Sequence, residues 1–114
     1  MRTKLLLWSA MGAFAVAFSA LSIGRQRAFN TGRFDMGNMT QAVWSTAHGH
    51  FLQVTNLSGE QTSRLGSHFD PILALLAPLW LAWSSPDMLV TVQAIAVALG
   101  ALPIFWLARK HLGS

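Results

Sequence analysis

The chain has 114 residues, of which 53% are hydrophobic and only 11% charged. A soluble domain carries about 25% charged residues, so these charges are too few to cover a water-facing globule, and so apolar a chain is not intrinsically disordered. Eight Lys and Arg against four Asp and Glu leave a net charge of +4. No basic run exceeds Arg109-Lys110 and no basic–aromatic stripe is present, so nucleic acid is not expected as a partner. Cysteine is absent, which removes disulfides, thiol catalysis and cysteine metal sites. Five Trp and no Tyr suit a chain that meets lipid headgroups. The composition points to an integral membrane protein whose first partner is the lipid bilayer.

The first apolar stretch, 5–23, reads LLLWSAMGAFAVAFSALSI and holds no charge. At 1.5 Å per residue it reaches roughly 28 Å, about the hydrocarbon thickness. Arg2 and Lys4 before it argue for a cytoplasmic N-terminus. The rival reading is a cleaved signal peptide, with Ala15-Val16-Ala17 as the processing site.

A polar loop over 24–70 follows and is placed on the outer side; the charges balance over 24–87, where Asp87 is the fourth acid. Within it, FDMGNMTQAVWSTAHGH has helical periodicity and predicts an amphipathic helix near 35–48 that stops at Gly49. Met36, Met39, Val43 and Ala47 make one face. Asn38, Gln41, Ser45 and His48 make the other, which is expected to meet water. Asp35 at the helix start has two readings, an N-cap or a chemically active carboxylate. Phe51 to Leu57 has weak strand character and Ser58-Gly59 turns it. Glu60, Arg64, His68 and Asp70 then crowd together. A solvated loop with ion pairs is one reading. The other makes Glu60, His68 and Asp70 weak ligand candidates for a divalent metal, although no established ligand spacing supports it. Asn38-Met39-Thr40 and Asn56-Leu57-Ser58 match glycosylation triplets, which occur often by chance.

Positions 71–83, PILALLAPLWLAW, are apolar but reach only about 20 Å as a helix. They are read as a juxtamembrane or re-entrant helix anchored by Trp80 and Trp83. The second span, 88–108, is uncharged and stops at Arg109-Lys110, which places both chain ends in the cytoplasm. Gly100 and Pro103 should bend it, and Gln93 should pack against another helix. The expected fold is therefore an all-α membrane protein. Two transmembrane helices are joined by an outer loop that carries the amphipathic and juxtamembrane helices, as one membrane region over 1–114.

The runs FDMGNMTQAVWSTAHGH, GEQTSRLGSHFDPILALLAPLW and SSPDMLVTVQAIAVALGALPIFWLARKHLG resemble the start of the predicted membrane proteins grouped as domain of unknown function 2079. Members of that family are several times longer and cross the membrane many times. The resemblance implies that this is an N-terminal piece, inactive by itself, whose partners include the remaining helices. The family is similar in layout to glycosyltransferases of the GT-C type, which take sugar from a polyprenyl phosphate in the bacterial cytoplasmic membrane. By that similarity Asp35 stands where their first-loop acidic residue stands, as the catalytic carboxylate. His68 and Pro71 resemble their His-Pro-Pro element. Arg33 and Arg64 would contact the donor phosphate, joined by Gln41 and His68 as substrate-binding residues. Arg25 and Arg27 lie on the same side and are as well explained by snorkelling. The sequence departs from that pattern at Asp35-Met36, where a second acid is usual, and at Asp70-Pro71, where a double proline is usual. No cofactor is certain. The alternatives are a non-enzymatic membrane component, such as a transporter or assembly subunit, and a truncated non-functional product. An uncharged pair of spans leans against transport.

Overall fold

Leu, Ala, Phe and Val fill the first stretch without proline, so the chain has every local reason to stay helical. α1 runs Arg2–Arg27, 26 residues with Arg25 and Arg27 in its last turn, where cations suit the helix dipole. The computed structural model describes residues 2–31 and 33–112; the Arg33 side chain lies outside the described residues. The further helices are α2, Arg33–Ala47; α3, Ala77–Ala82; α4, Pro86–Leu99; and α5, Ala101–Leu112. The chain forms two units, Met1–Gly24 with Val90–Ser114, and Arg25–Leu89.

In the first unit the helices leave their apolar side chains uncovered. Leu6 is 70% exposed, Val16 72% and Ile104 70%. So large an uncovered apolar surface has no place in water and marks lipid contact. Two helices, Arg2–Arg27 and Pro86–Leu112, are long and apolar enough to cross a membrane. The chain is a helical membrane protein. Buried Val90, Ala94 and Ala98 recur every fourth residue along α4 and keep its inner face narrow. Gln93 shares a shallow groove with Phe14 and Phe18 of α1, whose rings stack at 4.1 Å. The second crossing is interrupted at Gly100, between α4 and α5. Pro103 has no N–H to offer the Leu99 carbonyl, and its ring crowds that carbonyl.

The second unit is built on α2. Gly49, at φ 89°, closes α2, with His50 N–H donating to the Ser45 carbonyl at 2.8 Å. β1, Gln53–Thr55, and β2, Gln61–Ser63, pair antiparallel in the register Val54 to Thr62. Their turn uses Gly59 at φ 84° and the Asn56 side chain, which accepts from the Ser58 and Glu60 N–H groups. The Asn56 amide nitrogen donates to Glu60, so this glycosylation triplet is wound into a tight turn. Ala42, Leu52 and Val54 form the core, with Leu65, Leu73 and Ala74 packed on it. The short apolar run divides into a 3-10 stretch, Pro71–Leu76, and α3. Leu73 and Ala74 turn inward while Ile72, Leu75 and Leu81 remain exposed.

One expectation is corrected here. The polar face of α2 does not meet water along its length. Gln41 exchanges two hydrogen bonds with Thr55, through its side-chain nitrogen at 2.7 Å and oxygen at 3.0 Å. Ser45, 2% exposed, donates to the Gln53 carbonyl at 2.7 Å. Thr46 accepts from Leu52 N–H at 2.9 Å. The hairpin backbone needs partners, and this face supplies them.

Candidate functional site

The first turn of α2 and the segment after β2 face each other across a cleft of about 500 Å³. Phe34, Asp35 and Asn38 line it from the helix. Arg64, Ser67 and His68 line it from the opposite side. Asp35 is the third residue of α2, inside the first turn rather than at the cap position, and it is exposed. Its carboxylate makes no hydrogen bond or ion pair among the described residues, so it faces the cleft with its lone pairs available. His68 is also exposed. The structure thus brings together three of the residues singled out in the sequence, Asp35, Arg64 and His68, the first and last 33 positions apart in the chain.

Arg64 forms the floor. It is 3% exposed. Its Nε donates to Asp70 Oδ1 at 2.9 Å and its Nη2 to Oδ2 at 2.6 Å. Nη1 donates to Asn38 Oδ1. Ser63 caps the short 3-10 turn Arg64–Gly66 by accepting from Leu65 N–H, and this turn directs Arg64 inward. The guanidinium fork is therefore spent on one carboxylate and one amide. Arg64 ties α2 to the entry of the Pro71 helix rather than standing free to meet a phosphate. Asp70 is held below the usual carboxylate range, first by the hydrogen bonds from Arg64 and then by the Arg64 charge, with desolvation opposing.

The remaining candidates are placed as follows. Gln41 is engaged with Thr55 on another side of α2. The side chain of Arg33, expected at the donor phosphate, lies outside the described residues. Glu60 sits in the hairpin turn with Asn56, and Asp70 is taken by Arg64, so Glu60, His68 and Asp70 do not converge. Among the described residues no three His, Asp or Glu side chains form a metal-holding group. Arg27 binds Asp87 through Nε at 3.0 Å and Nη2 at 2.8 Å. Sequence reasoning did not identify Asn38 and Ser67 as cleft residues. Their only signal was proximity, Asn38 standing one helical turn after Asp35.

A family model described as predicted membrane protein (DUF2079) matches residues 25–114. The chain belongs to that family. The DUF2079 match takes in the whole cleft, from Phe34 to His68, together with both halves of the second crossing. No curated protein and no solved structure matches the chain.

Proposed function

We propose that this DUF2079 chain carries the acidic cleft of a membrane glycosyltransferase of the GT-C type. The observation that supports the reading is Asp35, exposed and without a partner among the described residues, at the start of the helix that follows the first span. Attack of an acceptor hydroxyl or amine on an anomeric carbon requires a group to take the acceptor proton. The Asp35 carboxylate is that base, and His68 across the cleft hydrogen-bonds substrate. The sugar arrives on a polyprenyl phosphate in the bacterial cytoplasmic membrane, and as the acceptor bond forms the anomeric C–O bond to that phosphate breaks and polyprenyl phosphate leaves. With Arg64 engaged, Arg33 and Arg25 are the cations for the phosphate. Further membrane helices of a longer chain complete the enclosure, because two crossings do not surround a lipid-linked donor and an acceptor.

The test is sugar transfer from a polyprenyl-phosphate donor in membranes expressing this segment together with further spans. Asp35→Asn keeps shape and removes the base, so transfer should fall on the order of 10²–10⁴-fold. Parental activity in that variant would leave Asp35 as a helix-terminal charge and favour a non-enzymatic membrane component.

A further inference from the structure

A second cleft, of about 880 Å³, lies in the Arg25–Leu89 unit and is lined by different residues. Its volume falls within the about 300–1,000 Å³ of small-molecule sites. Its walls are aromatic: Phe29, Trp44 and Trp80. Its polar groups are uncharged: Thr40, Gln41, and Gln26 with Thr31, whose hydroxyl donates to Gln26 Oε1 and leaves the Gln26 side-chain nitrogen to donate. No charged side chain lines it among the described residues.

Three details bear on what it takes. Thr40 Oγ1 is buried and has no hydrogen-bond partner among the described residues, whereas a buried hydroxyl ordinarily finds one. One face of the Trp44 indole is covered by the His48 ring at 4.5 Å, yet Trp44 stays 46% exposed. Phe29 stands at φ 56°, a left-handed conformation that favours glycine, at the position that ends α1. Asn30 N–H to the Arg25 carbonyl at 2.9 Å fixes that turn. The turn therefore holds a strained aromatic residue, 93% exposed, at the edge of the cleft.

We propose that this cleft binds an uncharged sugar ring. A pyranose offers an apolar C–H face for Trp44 and Phe29 and hydroxyls for Thr40 Oγ1 and the Gln26 side chain. Among the described residues a phosphate or carboxylate would find no cation here. Gly37 lies in the cleft wall, and a Cβ added there meets nothing within 4 Å. The inference does not rest on transfer by Asp35, which lines the other cleft.

The experiment uses the 114-residue chain in phosphatidylcholine nanodiscs prepared without glycoside detergent. Methyl glucoside in solution and a glucosyl diacylglycerol in the disc are the two probes, and glucose 6-phosphate is the charged control. Indole N–H resonances of the five Trp are followed by NMR. Trp44 and Trp80 should shift while Trp8 and Trp106 stay, and the phosphate control should leave all of them in place. A response to the lipid probe alone assigns the site to a glycolipid headgroup, and a response to methyl glucoside assigns it to the ring itself. Gly37→Met fills the space while improving helix propensity, so the protein should fold and the shifts disappear. Phe29→Gly relieves the left-handed turn, so it should raise the melting temperature yet weaken binding by roughly tenfold. Asp35→Asn should bind as the parent does. Silence with both probes, equal binding of the charged control, or unchanged binding in Gly37→Met overturns the proposal.

Discussion

Arg27 and Asp87, 60 residues apart, are joined by two hydrogen bonds to one carboxylate oxygen. They link the last turn of α1 to the first turn of α4. Asp87 is 8% exposed at its side chain, whereas Arg27 is 73% exposed. The burden of losing the pair thus falls on the acid. Arg27→Ala should destabilise the Arg25–Leu89 unit by about 1–3 kcal/mol, because it removes partners from a buried group. Asp87→Asn with Arg27→Ala should cost less than the sum of the single changes. Thermal unfolding of the four proteins in one detergent checks this.

Asp70 gives the unit an acid limit. Its folded pKa is depressed by Arg64. Its contribution is therefore complete above the unfolded carboxylate value near 4 and is lost as pH falls through the lower folded value. Melting temperature should be flat from neutrality to about pH 5 and then decline. Asp70→Asn should remove this part of the decline. Arg64→Ala should cost about 3 kcal/mol, the low end for a broken buried pair, because Asp70 remains 29% exposed.

Asp35 should prove nearly silent in stability. A carboxylate inside a helix's first turn gains about 0.3–1 kcal/mol from the dipole, and Asp35 accepts no capping bond among the described residues. Asp35→Asn and Asp35→Ala should both melt within a few degrees of the parent. A loss near 2 kcal/mol in the alanine variant, typical of a strong cap, would contradict the position described for it.

The absence of cysteine makes topology readable. Ser58→Cys lies in the exposed hairpin turn, and Ser114→Cys follows the basic Arg109-Lys110 end. An impermeant thiol reagent on intact cells should label the first and spare the second. Labelling at both positions would overturn the outer-loop arrangement with two crossings.

What could be read from the sequence follows from the range of each interaction. The crossings were visible because apolar side chains without charges leave a polypeptide few alternatives to lipid. Gly49 and Ser58-Gly59 were visible because a left-handed position announces itself through its residue type. Arg64 was not. A basic residue in a polar loop reads as solvent-facing, and it takes the Ser63-capped turn, Asp70 and Asn38, 26 residues earlier, to hold it inward. Gln41 and Ser45 were misjudged for a related reason. Their polarity fits water and a hairpin backbone equally, and periodicity does not distinguish the two. Phe29 ran against local preference, so no propensity argument would have placed a left-handed turn there. In the Asp35 cleft, the helical start and the acid were legible. The floor of Arg64, Asp70 and Asn38 depended on tertiary contacts.

The interruption at Gly100 bears on membrane thickness. As one straight rod, the 27 residues from Pro86 to Leu112 would extend about 40 Å, enough to cross the hydrocarbon layer and carry the Arg109-Lys110 end into the headgroups. In a thinner membrane a rigid helix would have to tilt or thicken the surrounding lipid. Two shorter rods meeting at a joint can change their mutual angle instead. A change in membrane thickness can then be taken up at the Gly100 joint.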